Sequence, residues 1–149
     1  MKYTKSSGKN MELPEGTVET LSLEFETALV ETALEKVDWN ARGSKGPSKK
    51  EIGLLISLGH LYSRLKHHHK GIEVDRILVG ICPEDPCFYY NLACSHSLLG
   101  EVDEAIRILE QAIGLGYDNF KGLQADSDLN NLREDPRYQD LLGEFESTI

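Results

Sequence analysis

The sequence of 149 residues lacks any long apolar run and contains few cysteines. No stretch approaches the roughly 20 consecutive apolar residues that a membrane-spanning helix needs. The first ten residues, MKYTKSSGKN, also lack the apolar core of a secretory signal peptide. Three cysteines are an odd number, which fits free thiols in a reducing compartment better than a disulfide framework. These absences predict a cytoplasmic protein that does not enter a membrane.

Positive charge is scarce in the last third of the chain. The formal net charge is -9, and residues 101–149 hold only four basic side chains against twelve acidic ones. Such a surface repels phosphate backbones, so nucleic acid is not an expected partner. The overall proportions, 40% hydrophobic and 28% charged residues, are ordinary for a folded globular chain. The length predicts a single domain.

Familiar catalytic motifs are absent as well. The sequence contains no Gly-x-Ser-x-Gly, His-Glu-x2-His or P-loop pattern, so neither an enzyme nor a cofactor is predicted. The segment 82–96 offers three cysteines and a histidine, a ligand inventory that suits zinc. Its spacings of four and six residues differ from the tight knuckle of structural zinc sites, and adjacent histidines, as at 67–69, point in different directions. A metal-binding module using Cys and His is therefore only the alternative interpretation.

A period of 34 residues organises the middle of the chain. When the sequence is shifted by 34, large apolar residues fall on large apolar residues and small ones on small ones. The matched pairs include Leu55 with Tyr89, Leu58 with Leu92, Gly59 with Ala93, Tyr62 with His96, Leu65 with Leu99, Gly71 with Ala105, and Ile72 with Ile106. The apolar spacing inside each copy is helical, and each copy predicts two antiparallel helices.

Prolines and small residues support this division. Pro83 and Pro86 separate the copies, and Asp85 is placed to cap a helix that begins at Pro86. Glycine inside a helix costs about 1 kcal/mol relative to alanine, so Gly59 and Gly71 indicate close approach of two helices.

These patterns resemble the tetratricopeptide repeat. The second copy matches best, in Tyr89-x2-Leu92-Ala93-x2-His96 followed by Ala105-x3-Leu109 and Ala112. The first copy has Leu55-x2-Leu58-Gly59-x2-Tyr62 and Gly71, but Asp75 stands where the family has a large apolar residue. The resemblance implies an all-α fold, in which antiparallel helix pairs stack as a short solenoid.

The flanks complete a predicted single helical domain over residues 11–149. We expect a disordered tail at 1–10, an N-terminal helix at 14–38, a flexible loop at 41–50, and the two repeats at 52–83 and 86–117. Residues 118–149 are expected to form capping helices, the last of them starting at Asp135-Pro136. The end of the chain contains Gly116-Tyr117, Asp126-x-Asp128-Leu129, Leu132-Arg133 and Asp135-Pro136-Arg137-Tyr138. In these motifs it resembles the closing module of small bacterial tetratricopeptide proteins.

The resemblance also implies a binding surface. In this family the first helix of each pair lines a concave groove that binds extended peptides or partner helices. The corresponding residues here are Gly53, Ile56, His60, Ser63 and the neighbouring Arg64 in the first copy, and Cys87, Tyr90, Cys94 and Ser97 in the second. Asn91 matches an asparagine that holds a peptide backbone or terminal carboxylate. The basic residues that complete a carboxylate clamp are missing, since Ile56 stands where a lysine would be.

The sequence therefore predicts a non-enzymatic protein interaction or scaffold module with a protein or peptide partner. Two other interpretations stay open. The groove residues would have no ligand if they pack against the N-terminal helix, and the chain could be a regulatory subunit of an enzyme complex. The sequence also allows a homodimer.

Overall fold

The computed structural model describes residues 14–148, and these residues form helices without any strand. The tail predicted to be disordered, residues 1–10, lies outside this range. The α-helices are α1 Thr17–Leu34, α2 Lys49–Arg64, α3 His68–Ile81, α4 Pro86–Leu98, α5 Val102–Gly114, α6 Phe120–Ala125 and α7 Pro136–Thr148, and 3-10 helices lie at Gly43–Lys45 and Ser127–Leu132. The fold is an all-α solenoid of stacked helix pairs, as predicted.

The two predicted copies correspond to the pairs α2–α3 and α4–α5. Each pair packs through its own interface, and α3 packs against α4, so the second pair stacks on the first. The expected start of α4 is confirmed, because the carboxylate of Asp85 accepts a hydrogen bond from the Cys87 N–H at 2.9 Å. Asp135 caps α7 through the Arg137 N–H in the same way, also at 2.9 Å. A proline follows each aspartate, where its fixed φ suits the first helical turn.

The first helix of each pair ends in the same backbone motif. Lys66 and Gly100 occupy equivalent positions of the repeat, and both adopt left-handed φ values, 57° and 75°. The next N–H then bonds back across the turn, from His67 to the Tyr62 carbonyl at 2.8 Å and from Glu101 to the His96 carbonyl at 3.0 Å. This pattern satisfies carbonyls that the helix end leaves free. The 34-residue period therefore extends to backbone conformation.

Gly59 allows two helices to approach closely, as predicted, whereas the same prediction for Gly71 is wrong, because a Cβ there would make an ordinary contact 3.8 Å from Oγ of Ser95. A Cβ added to Gly59 would lie 3.3 Å from Cγ1 of Val74 on the neighbouring helix, which is tighter than an ordinary contact. Ala93 and Ala105, at the interface of the second pair, have no exposed surface. Interiors packed at this density leave no room for larger side chains at such positions.

The N-terminal helix differs from its expected form. It spans Thr17–Leu34 rather than 14–38, and its buried face consists of Leu23, Thr27 and Leu34. Other apolar residues that recur at helical spacing in this segment lie on a different face: Val18, Leu21, Phe25 and Leu29 are 54–68% exposed. The segment 41–50, expected to be a flexible loop, contains the first 3-10 helix and the start of α2.

The C-terminal segment closes the end of the solenoid. Leu123, Leu129, Leu132 and Tyr138 have no exposed surface and join the core formed by α4 and α5. The Tyr138 hydroxyl also donates a hydrogen bond to the Leu123 carbonyl at 3.0 Å. A solenoid must cover its last apolar face, and here α6, the second 3-10 helix and α7 do so. Among the helices in the described range, none has the length and apolar character needed to cross a bilayer.

The equivalent left-handed positions Lys66 and Gly100 allow a test of backbone strain. A side chain in the left-handed region costs about 1 kcal/mol, a cost that glycine avoids. We therefore expect Lys66→Gly to raise the free energy of unfolding by up to about 1 kcal/mol and Gly100→Ala to lower it by a similar amount. Urea unfolding followed by circular dichroism measures both. Changes of the same sign in the two variants would contradict the equivalence of the two turns.

Candidate functional site

A pocket of about 140 Å³ lies between the two helix pairs. Its walls come from α2, the α2–α3 turn, α3 and α4, and the residues around the start of the second 3-10 helix close one side. The residues that line it are Ile56, Gly59, His60, Ser63, His67, His68, Gly71, Asp75, Leu78, Phe88, Tyr90, Asn91, Cys94, Ser95, Leu98, Asp126 and Asp128.

Six of the ten groove residues named from the sequence line this pocket: Ile56, His60, Ser63, Tyr90, Asn91 and Cys94. The other four, Gly53, Arg64, Cys87 and Ser97, do not. Arg64 is exposed and pairs with Glu19 of α1 at 3.3 Å, while the side chain of Ser97 is fully buried. The carbonyl of Ser97 accepts a hydrogen bond from the Asn131 side chain at 2.7 Å, so this residue faces the C-terminal segment.

The pocket has an exposed mouth and a buried floor. His60, Ser63 and Asn91 are exposed, whereas Tyr90 and Cys94, one turn apart on α4, are buried. An i, i+4 spacing places two side chains on the same helix face. The sequence pattern alone did not predict which groove residues are exposed and which are buried. It indicates which residues share a helix face, but not which other segments cover that face.

The floor is held by contacts with the C-terminal segment. The ring of Tyr90 stacks on Tyr117, with centroids 4.4 Å apart and planes inclined by 6°. The Tyr90 hydroxyl donates to the carboxylate of Asp126, and Sγ of Cys94 donates to Oδ2 of the same group at 3.8 Å. The Asp126 Oδ1 accepts the backbone N–H of Asp128 at 2.9 Å. Asp126 therefore ties α4 to the closing segment.

This cluster can be compared with a metal site. Ligand atoms of Cys94, Asp126 and Asp128 lie within 4.8 Å of one another, and no other group of three or more Cys, His, Asp or Glu among residues 14–148 converges as closely. Burial, reinforced by Asp126, raises the pKa of the Cys94 thiol, so the sulfur stays protonated at neutral pH. Thiolate is the form that binds metals. The carboxylate of Asp126 is already satisfied by the surrounding donors, so the arrangement is complete as a hydrogen-bond cluster.

The ligand sets considered from the sequence are dispersed. Cys87 is exposed, Cys82 is half-buried, and the two are free thiols. The Nδ1 of His96 contacts the carboxylate of Glu101 inside the second pair. In the run 67–69, His67 and His68 line the pocket but the third histidine does not.

Asp75 contributes a buried carboxyl group to the pocket wall. It is 7% exposed, and its Oδ2 accepts a hydrogen bond from Ser95 Oγ at 3.0 Å. Burial raises the pKa of Asp75 to about 6, and the hydrogen bond from Ser95 partly opposes this rise. The sequence marked this residue as a departure from the repeat pattern. Asp75 does occupy a buried packing position, but it places a carboxyl group there instead of an apolar side chain.

The pocket has an acidic lining. Three aspartates face it, and none of its lining residues is a lysine or an arginine. Burial and the charge of Asp126 raise the pKa of Asp128, and the proximity of His68 opposes that rise. At neutral pH the carboxyl groups of Asp75, Asp126 and Asp128 give the wall a negative charge, and the nearby cation Arg133, which donates to the Asp126 carbonyl at 2.7 Å, lies outside the lining. This charge is opposite to that of a carboxylate clamp.

The N-terminal helix does not fill the pocket. No residue of α1 lines it, and α1 instead packs on the other side of α2 through the cluster around Leu34, Leu55 and Leu58. The residues that sequence reasoning missed are Asp126 and Asp128, which come from the closing segment. The motif Asp126-x-Asp128-Leu129 was visible in the sequence, but nothing in its spacing showed that it returns to α4.

Comparisons with known proteins agree with the fold. Residues 88–116 match the family model described as Tetratricopeptide repeat. A chloroplastic protein of Arabidopsis thaliana is 26% identical over 153 aligned residues, which cover 100% of this chain and 46% of that protein. "Cell division cycle protein 16 homolog" of Homo sapiens and that of Mus musculus are each 30% identical over 87 residues, covering 58% of this chain and 14% of the relative. The chain thus spans less than half the length of these relatives.

The buried carboxyl group gives a pH-dependent prediction. Because the pKa of Asp75 rises from 3.8 to about 6 on folding, the native state binds more protons than the unfolded state between these values. The stabilising effect of the neutral form is present below pH 4 and is lost as the pH rises to 6. Asn at this position cannot ionise, yet it still accepts the Ser95 hydrogen bond. We expect Asp75→Asn to stabilise the fold by about 3 kcal/mol at pH 7.5 and about 1 kcal/mol at pH 4.5.

Urea unfolding of the wild type and Asp75→Asn at several pH values measures this difference. Glu110→Gln removes a carboxylate from an exposed position of α5 and serves as the matched control, for which we expect little change. A stability difference for Asp75→Asn that does not depend on pH would contradict the assignment.

Proposed function

We propose that this chain, in which residues 88–116 match the tetratricopeptide repeat model, is a protein interaction module that binds an extended segment of a partner in the groove between α2 and α4. One observation carries this proposal. Six residues chosen from the sequence for binding, three from each repeat, border the same pocket. Helical repeats commonly present such concave surfaces to partners.

The groove's mouth supplies the polar contacts for a peptide. Asn91 is exposed, and its amide group both donates and accepts hydrogen bonds, as a peptide backbone requires. His60 and Ser63 face the same opening from α2. The buried Tyr90 and Cys94 give the floor a fixed shape, because both are held by Asp126. In this proposal the mouth recognises the backbone and the pocket receives one side chain.

The acidic lining favours a cationic side chain. A volume of about 140 Å³ is close to that of a cavity of roughly 150 Å³ that accommodates benzene, so one side chain can enter. Asp75, Asp126 and Asp128 lie on the wall without any lysine or arginine among the lining residues. A lysine or arginine from the partner would neutralise part of this charge, whereas a carboxylate would be repelled. The proposed partner segment is therefore basic or carries a basic anchor.

The proposal describes a binding module and assigns no catalytic role. A regulatory subunit of an enzyme complex would use the same groove and is compatible with it. A cytoplasmic location stays a prediction, since one relative is named chloroplastic. The names of the relatives concern longer proteins, of which this chain matches 46% or 14%, so the proposal rests on the groove and not on their roles.

An array of peptides of about 15 residues that differ in the number and sign of their charges tests the proposal. We expect full-length protein to retain peptides that contain lysine or arginine and to reject acidic ones. Because the mouth makes the polar contacts, the double variant His60→Ala with Asn91→Ala should weaken the best peptide by about tenfold or more. Fluorescence anisotropy gives the dissociation constants.

Two further variants separate the groove from general charge effects. Asp128→Asn should reduce the preference for a lysine peptide over its glutamine counterpart, because it removes charge from the pocket wall. Glu110→Gln removes one exposed charge on α5, outside the pocket lining, and should leave that preference unchanged. The proposal fails if no peptide binds above background, or if the double variant binds as the wild type does while its circular dichroism is unaltered.

A further inference from the structure

Helix α1 has a second apolar face, which is exposed in the described part of the chain. This outer stripe consists of Val18, Leu21, Phe25 and Leu29, with exposures of 68%, 54%, 68% and 57%. They are four of the five large hydrophobic side chains that are exposed among residues 14–148. Single exposed apolar residues are common on proteins, but a contiguous row of them marks a contact surface.

The stripe lies opposite the face that packs on the solenoid. Phe25 and Leu34 are nine residues apart, which is two and a half turns of an α-helix, so they point in opposite directions. Burial of Leu23, Thr27 and Leu34 attaches α1 to the rest of the fold. The outer stripe is therefore not needed for this attachment. It is about 17 Å long, or roughly three helical turns.

The edges of the outer stripe are acidic. Six glutamates and no lysine or arginine occur between residues 14 and 35. Two of them already contact basic groups of the fold: Glu19 pairs with Arg64 at 3.3 Å and Glu31 with Lys70 at 3.8 Å. Glu24, Glu26 and Glu35 form no ion pair within residues 14–148. From their helical positions, Glu26 borders one edge of the stripe and Glu24 the other, while Glu35 lies about 9 Å beyond Leu29 and is followed by Lys36.

This charge distribution favours one class of binding partner for the outer stripe over the others. A second copy of the chain would bring the same glutamates against each other, and like charges across an interface are unfavourable. An anionic lipid surface would be repelled for the same reason. A partner helix with apolar residues on one face and lysine or arginine along its edges matches both the stripe and its borders.

We propose that the outer stripe of α1 docks a basic amphipathic helix of a partner protein. The site is separate from the pocket, since no residue of α1 lines the pocket. The interaction buries the four apolar side chains against the partner's apolar face and places its cations beside Glu24 and Glu26. The chain then offers two independent contact surfaces, one for an extended segment and one for a helix.

A designed peptide pair provides the probe. Both peptides are amphipathic helices of about 18 residues with leucines at i, i+3, i+7 and i+11; one has lysines along the edges of this face and the other has glutamates. We expect the full-length protein to bind the lysine peptide at least about tenfold more tightly than the glutamate peptide, with affinity falling as salt increases. Isothermal titration calorimetry measures both.

Substitutions in α1 test whether the lysine peptide binds at the outer stripe. Leu21→Gln with Phe25→Gln replaces two exposed side chains, and we expect it to weaken the lysine peptide by about tenfold or more without altering the unfolding transition. Glu24→Gln with Glu26→Gln should weaken it several-fold and flatten its salt dependence. Leu115→Gln changes an exposed leucine of another surface and is the matched control, which should bind normally.

The groove variant His60→Ala with Asn91→Ala should keep its affinity for the lysine peptide, because the groove takes extended segments and this peptide is helical. Failure of one surface is then distinguishable from failure of the other. Equal affinity for the two peptides would overturn the proposal, as would normal binding by Leu21→Gln with Phe25→Gln. A dimer in sedimentation experiments that dissociates in this same variant would instead assign the stripe to a second copy, which also overturns it.

Discussion

The packing of α4 on three neighbours is the constraint from which the rest of the arrangement follows. This helix contacts α3 on one side, α5 on another and the second 3-10 helix on a third, and its middle turns are buried. Its small residue Ala93 allows close approach, while Tyr90 and Cys94 point toward the pocket. Because α4 is packed from three directions, these contacts hold the buried floor of the pocket, whereas the residues at its mouth are exposed.

Repeat periodicity predicts those parts of the molecule whose structure is local. The helix pairs, the cap at Asp85 and the small residue at Gly59 all follow from spacing within about 34 residues, where backbone geometry dictates the pattern. The same reasoning cannot tell which apolar face of α1 packs. Thr27 can lie on the packed face because its hydroxyl bonds to the Leu23 carbonyl at 2.7 Å. Hydrophobicity alone would have placed a different face of the helix against the fold.

The sequence did not predict the acidic wall of the pocket, and here the reason is different. Asp126 lies 36 residues after Tyr90, in an irregular segment whose path depends on how Leu129 and Leu132 enter the core. No helical period describes such a path. Six of the ten positions that the family resemblance selected border the pocket, yet the resemblance could not supply the sign of the pocket's charge. The identity of the residues opposite α4 determines that sign.

The bond between Tyr90 and Asp126 makes the closing segment and the groove thermodynamically linked. Asp126 accepts hydrogen bonds from α4 and also faces the space that a ligand would enter. A cation that competes for this carboxylate weakens its hold on α4, whereas one that adds to the existing bonds tightens it. In the proposed groove, binding of a cation at Asp126 and attachment of the closing segment to α4 would affect each other equally, because a coupling free energy is reciprocal. The terminal cap would then modulate binding by the repeat that it covers.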